Sequence, residues 1–223
     1  MRLMLVVLTF VTGLVDAVTY LDFGHVFAAN MTGNVIVLGF ALVGAGEISA
    51  TASIVSLAGF IVGAALSARV AAALRDTRAR WLLTMLATEA GLLTIGAALC
   101  LTVRPAADLA IVGVLAVAMG MRIVSVRRLG VADVSTTVIT STLAALAADA
   151  LLSGAPIRAG GVRLACLGAL LLGAVTGALA VGHGAAGVLG IAAGLLLILT
   201  LGAIGEAGNG DASAHTQSAS GPA

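Results

Sequence analysis

Eight apolar segments, Leu3–Leu21, Val26–Val43, Ala50–Leu74, Trp81–Val103, Ala106–Ile123, Val131–Leu152, Val162–Val181 and Ala185–Ile204, take up most of the chain. Their lengths lie near the roughly 20 residues that a helix needs to cross hydrocarbon. A water-soluble fold would need a polar surface, and only 9% of the 223 residues are charged while 61% are hydrophobic. Soluble domains carry about 25% charged residues. The mean hydropathy is +1.18. The expected fold is therefore all-α, a polytopic integral membrane helix bundle. A β-barrel needs strands of alternating polarity, whereas a run such as Gly187–Leu201 is apolar on both faces. Aromatic residues make up 3% and Gly and Ala are abundant, so helix backbones can pack closely.

Charge and cysteine usage exclude several classes. The net charge of +1 gives no footprint for nucleic acid. All 11 basic residues are Arg, so no phosphate-binding Gly-Lys-Ser/Thr loop exists and ATP-driven work by this chain alone is not expected. Cys100 and Cys166 sit in apolar segments and read as small core residues. His25 and His183 lack a ligand cluster, so neither metal nor cofactor is expected. Arg2 and the run that follows fit the start of a signal peptide. Asp16 falls where cleavage should begin, and the run continues to Leu21, which favours a first span. From Glu206 the composition turns polar and Gly/Ser/Ala-rich. Residues 1–205 are thus expected to form one transmembrane domain and 206–223 a disordered tail.

The first four segments resemble the last four in order and spacing, giving halves near 1–104 and 105–205. Gly13-Leu14-Val15 corresponds to Gly120-Met121-Arg122, and Met31–Val35 to Ile139–Leu143. Gly59/Gly63 and Gly173/Gly177 form G-x-x-x-G pairs in the third and seventh segments. If all eight segments cross, arginines split poorly between the two sides. If the second and sixth segments do not cross, ten of the 11 arginines fall on the cytoplasmic side and only Arg104 falls outside. Each half then has three spans plus one broken or re-entrant segment. An odd number of crossings makes the halves an inverted repeat, with both termini cytoplasmic. The same two segments are the polar ones, which suits a broken backbone at membrane depth.

Gly13-x-x-Asp16-Ala17-Val18-x-Tyr20, followed by Val26-Phe27-x-Ala29-Asn30-Met31-Thr32-Gly33-Asn34, resembles the opening signature of the YoaK family. Met119-Gly120-Met121 and Asp133-x-x-Thr136-Thr137-Val138-x-Thr140 resemble its later one. The resemblance covers roughly Leu3 to Ile204 and implies a bacterial multi-spanning membrane protein of unknown function. The chain departs from the family at Arg122-Ile123, where Gln-Asn is usual, and at Thr140-Ser141-Thr142, where Thr-Gly-Thr is usual. Placement in a bacterial cytoplasmic (inner) membrane follows.

The polar residues inside apolar segments are the candidate site. Asp16 is costly in hydrocarbon. It reads either as a proton- or cation-linked site or as a cap on the Asn30–Asn34 turn. Glu89 reads as a second intramembrane carboxylate or the partner of an Arg. Asn30, Thr32 and Asn34, with Thr137, Thr140 and Thr142, could bind a solute or satisfy their own backbone. Trp81 and Tyr20 read as interface anchors. These features favour a small-solute transporter or channel over a non-transporting scaffold assembled through glycine pairs, Gly190/Gly194 included. A membrane-embedded enzyme ranks last, because no nucleophile or metal set accompanies Asp16. The expected partners are the lipid bilayer, a small-molecule or ion substrate and a second copy of the chain.

Overall fold

A computed structural model describes residues 2–46, 48–74, 77–128 and 161–218. The described residues form seven helices: α1 (Arg2–Asp22), α2 (Met31–Leu42), α3 (Ala50–Ala73), α4 (Arg78–Thr102), α5 (Asp108–Arg128), α6 (Gly161–Val181) and α7 (Ala185–Ser218). Six of them are long and apolar enough to cross a membrane, and α2 is not. At 1.5 Å per residue its 12 residues span about 18 Å, against a hydrocarbon core of about 30 Å.

The outer surface carries large apolar side chains, including Ile54, Ile61, Leu66, Leu171, Leu179, Ile198 and Leu201. The interior holds buried Thr9, Ser53, Ser56, Ser67, Glu89 and Arg122. Such a distribution would aggregate in water and suits lipid.

Two sets of contacts fix the helix directions. Asp22 at the end of α1, Arg104 after α4 and Asp108 at the start of α5 form one ionic cluster, with N···O distances of 2.6 and 2.9 Å. The Arg104 guanidinium also lies 4.4 Å from the Phe23 ring centroid. Hydrogen bonds to Asp108 and Asp22 push the Arg104 pKa above its ordinary value, so this side chain stays charged. At the opposite face, Arg128 donates to the Ala71 carbonyl and lies 5.2 Å from the Trp81 ring centroid. Hence α1 and α4 run toward the Asp22 face and α3 and α5 away from it.

Segment 23–49 therefore starts and ends on the Asp22 face. Gly24 and His25 take positive φ (85° and 60°) and turn the chain sharply after α1. The Ser49 N–H donates to the Gly24 carbonyl at 3.4 Å, which brings the two ends of the excursion together. The second segment does not cross, and only Met31–Leu42 of it is helical. The sixth segment lies outside the described residues.

Three long pairings build the bundle: α1 with α6, α3 with α5, and α4 with α7. Glycines set two of them. Gly13 packs on the Leu170 carbonyl and Gly173 on the Phe10 carbonyl, while Gly120 packs on Phe60 and Gly63 on Val117. In all four contacts the carbonyl belongs to the residue three before the partner glycine. The α1–α6 contact is thus repeated in register by α5–α3. Gly59 and Gly177 also face neighbouring helices of the same chain. Of the expected association glycines, Gly190 and Gly194 alone meet nothing within 4 Å among the described residues.

Two expectations need correction. Trp81 is no interface anchor: it is fully buried with Met85, Met121 and Ala71, where its ring offers Arg128 a π-face. Arg122, counted with the arginines of the cytoplasmic side, is instead buried in the bundle, because α5 continues to Arg128. Helical backbone also continues past Glu206 to Ser218, into the stretch expected to be disordered. Extending an existing helix avoids the cost of nucleation, which offsets the poor helix propensity of Gly208, Asn209 and Gly210. The part of α7 able to cross a membrane ends at Gly205.

Candidate functional site

Two polar clusters occupy the bundle. The first organises the backbone between α1 and α2. Asp16 sits on α1 six residues, about 9 Å, before the helix ends at Asp22. Its Oδ1 accepts from the Ala28 and Ala29 N–H groups at 2.9 and 2.8 Å. Asn34, fully buried on the first turn of α2, closes a ring with Phe27. Its Oδ1 accepts from the Phe27 N–H at 2.8 Å, and its Nδ2 donates to the Phe27 carbonyl at 2.7 Å. Ser56 of α3 joins them, accepting from Asn34 Nδ2 at 3.0 Å and donating to the Phe27 carbonyl at 2.6 Å. Asn30 caps α2 by accepting from the Gly33 N–H at 3.1 Å. Thr32 is exposed.

These side chains satisfy the backbone groups of Phe27, Ala28 and Ala29, which lie outside any helix, and the free N–H of Gly33 in the first turn of α2. Asp16, Asn30 and Asn34 do converge, but on the turn's backbone. Substituting Asp16 tests this geometry. The Asn side-chain oxygen can accept both N–H groups, so Asp16→Asn is expected to change thermal stability in detergent by less than about 1 kcal/mol. Asp16→Ala strands two buried donors at about 1–3 kcal/mol each and is expected to be clearly less stable. Equal losses for the two variants would contradict the capping role.

The second cluster lies nearer the opposite face. Arg122 stands six residues, about 9 Å, before the end of α5. It is 6% exposed and Glu89 of α4 is 3% exposed. The Arg122 Nε lies 2.5 Å from Glu89 Oε1, and Nη2 pairs with the same carboxylate. Nη1 donates to the Leu8 carbonyl at 2.6 Å and to Thr12 Oγ1 at 2.8 Å. One guanidinium therefore ties α5 to α4 and α1. Of the alternatives for Glu89, the structure places it with Arg122.

A cavity of about 50 Å³ separates the clusters. Its walls are Leu5, Leu8, Thr9 and Thr12 of α1, Ala29 of the turn, Phe60 of α3, and Met119, Arg122, Ile123 and Val126 of α5. The volume suits a few water molecules, and Thr9, Thr12 and Arg122 give it polar character. Thr137, Thr140 and Thr142 lie outside the described residues. Among the described residues, no three of His, Cys, Asp and Glu come together as a metal would require.

Sequence reasoning missed Arg122, Thr12 and Ser56 as site residues. A signal for Arg122 exists: it falls within the fifth apolar segment, Ala106–Ile123, and Val124 and Val126 continue the apolar pattern beyond it. Thr12 and Ser56 carried no such signal, because isolated hydroxyls in apolar helices usually bond back to their own helix.

No solved structure matches the chain significantly. The UPF0700 transmembrane protein YoaK of Bacillus subtilis (strain 168) is 31% identical over 182 residues, covering 76% of this chain and 81% of that one. Residues 4–202 match the family described as Protein of unknown function (DUF1275). With six apolar helices of spanning length around a polar interior among the described residues, the chain is a multi-pass membrane protein and belongs to the DUF1275 family.

Proposed function

We propose that this protein is a small-solute permease, a transporter or channel that works without ATP and carries out no enzymatic chemistry. The observation that carries this reading is the cavity between α1, α3 and α5, with an arginine on its wall and a non-helical turn beside it. Broken backbone and intramembrane charge typically line solute paths in membrane proteins. The cavity lies between elements of the two halves, α1 and α3 from one and α5 from the other. The glycine contacts repeated in register support an inverted repeat, in which such an interface would carry the solute. The scaffold reading loses support because Gly59, Gly63, Gly173 and Gly177 pack within the chain. Uptake of a panel of small neutral and singly charged solutes into proteoliposomes tests the permease. Saturable uptake is expected, and none above protein-free vesicles would reject it.

The same reading places the Arg128 face, the N-terminus and the tail in the cytoplasm of a bacterial inner membrane. Arginine content supports this, since Arg69 near the end of α3, Arg80 near the start of α4 and Arg127–Arg128 at the end of α5 gather toward that face. Single cysteines in a background lacking Cys100 and Cys166 test it with an impermeant maleimide on intact cells. Gly46→Cys is expected to label and Thr77→Cys to remain unlabelled until the cells are opened. The reverse pattern would invert the topology.

A further inference from the structure

The buried ion pair has an asymmetry. Glu89 holds Arg122 through Nε and Nη2, yet it is absent from the cavity wall, whereas Arg122 is part of that wall. No other charged side chain lines the cavity among the described residues. The cavity thus meets a guanidinium whose charge is balanced from behind. On its other edge, Nη1 donates to the Leu8 carbonyl, which already belongs to the α1 ladder and also accepts from the Thr12 hydroxyl at 3.0 Å. That bond is the most readily exchanged of the guanidinium's contacts.

Resting on the permease reading, we infer that the cavity takes a small monovalent anion against Arg122 and that each anion enters together with one proton on Glu89. The reason is charge balance in a low-dielectric interior. With Glu89 ionised the pair is neutral and offers an anion nothing to offset its desolvation. A proton on Glu89 leaves the arginine uncompensated, and an anion at Nη1 restores neutrality. One proton and one anion add no net charge to the buried site. The surrounding groups are few. α7 brings no titratable side chain between Ala185 and Gly205, and α3 brings only Arg69. α6 brings Cys166 beside Thr9, and α1 brings Asp16, whose Oδ1 is held by two backbone N–H groups. On α5 itself, Arg128 is engaged at the Ala71 carbonyl.

Nitrate titration of the purified full-length protein in detergent, with calorimetry and a pH indicator in weak buffer, tests the inference. Wild type is expected to take up one proton per nitrate, with affinity falling about tenfold per pH unit while Glu89 is ionised. Glu89→Gln should bind nitrate with neither proton uptake nor pH dependence, and Asp16→Asn should keep the wild-type slope. The pair variant Glu89→Met with Arg122→Met, which strands neither charge, should fold and bind no nitrate. No binding to folded wild type, binding without proton uptake, a slope abolished by Asp16→Asn, or binding by the pair variant would each overturn the inference. Proteoliposome flux separates it from the reading beneath it. Proton-linked nitrate binding without flux of any solute rejects the permease alone. Flux of glycerol or another neutral solute without nitrate binding rejects the anion site alone.

Discussion

Replacing Glu89 with Met is expected to destabilise the folded protein by about 3–5 kcal/mol, because it leaves the Arg122 charge buried and unpaired. Arg122→Met is expected to cost a similar amount, for it strands the Glu89 carboxylate and also releases Leu8 and Thr12 of α1. Replacing both with Met should cost much less than the sum, since two apolar side chains remove the need to balance either charge. Thermal unfolding of the four proteins in one detergent closes the double-mutant cycle. Strongly favourable coupling between the substitutions is the expected result. Additive losses would mean that the two side chains are independently hydrated and that the centre of the bundle is wet on both sides of the pair.

The second large effect concerns the backbone contacts. A Cβ added at Gly63 would lie far inside van der Waals contact with the Val117 carbonyl oxygen, and the atom it meets is backbone that cannot rotate away. Gly63→Leu is therefore expected to separate α3 from α5 and to cost at least the 1–3 kcal/mol or so of ordinary overpacking. Gly173→Leu should behave alike, since its Cβ would meet the Phe10 carbonyl in the matching register. Gly190→Leu, where nothing among the described residues lies within 4 Å, should leave thermal stability within about 0.5 kcal/mol of wild type. A loss at Gly190 equal to that at Gly63 would show that α7 makes a close contact beyond those among the described residues.

The fold was legible in the sequence where it depended on hydropathy and charge. Arginine distribution and polarity together pointed to the segment containing Asn30 and Asn34 as non-crossing, and the Gly24–Ser49 contact bears this out in the first half. The capping alternative for Asp16 was also legible, because an Asp near an Asn-rich break has few other ways to satisfy its oxygens. What was not legible depended on direction around a helix. Arg122 groups with the cytoplasmic-side arginines in the sequence because it stands one residue from the end of the fifth segment and Arg127 and Arg128 follow it closely. Only the packing of α4 on α5 shows that Glu89 lies opposite it. The glycine pairs read equally well as association motifs, since sequence alone does not say whether the close partner is another helix of the chain or another molecule. Thr32 shows the same limit: it sits among residues that turn inward, and one helical position makes it exposed.

The most direct test of a solute path through the half-to-half interface is uptake by purified protein in liposomes, with the cavity open and then filled. Ile123 lies on the wall next to Arg122 and takes no part in the ion pair, so Ile123→Trp fills the space while leaving the Glu89–Arg122 contact in place. Wild type is expected to show saturable uptake of at least one small solute. Ile123→Trp, monodisperse and equally stable to heat, is expected to lose at least about 90% of it, since the cavity of about 50 Å³ cannot hold both an indole ring and a solute. Undiminished uptake by the folded Trp variant would contradict the placement of the path, and no uptake of any solute by wild type would contradict transport itself.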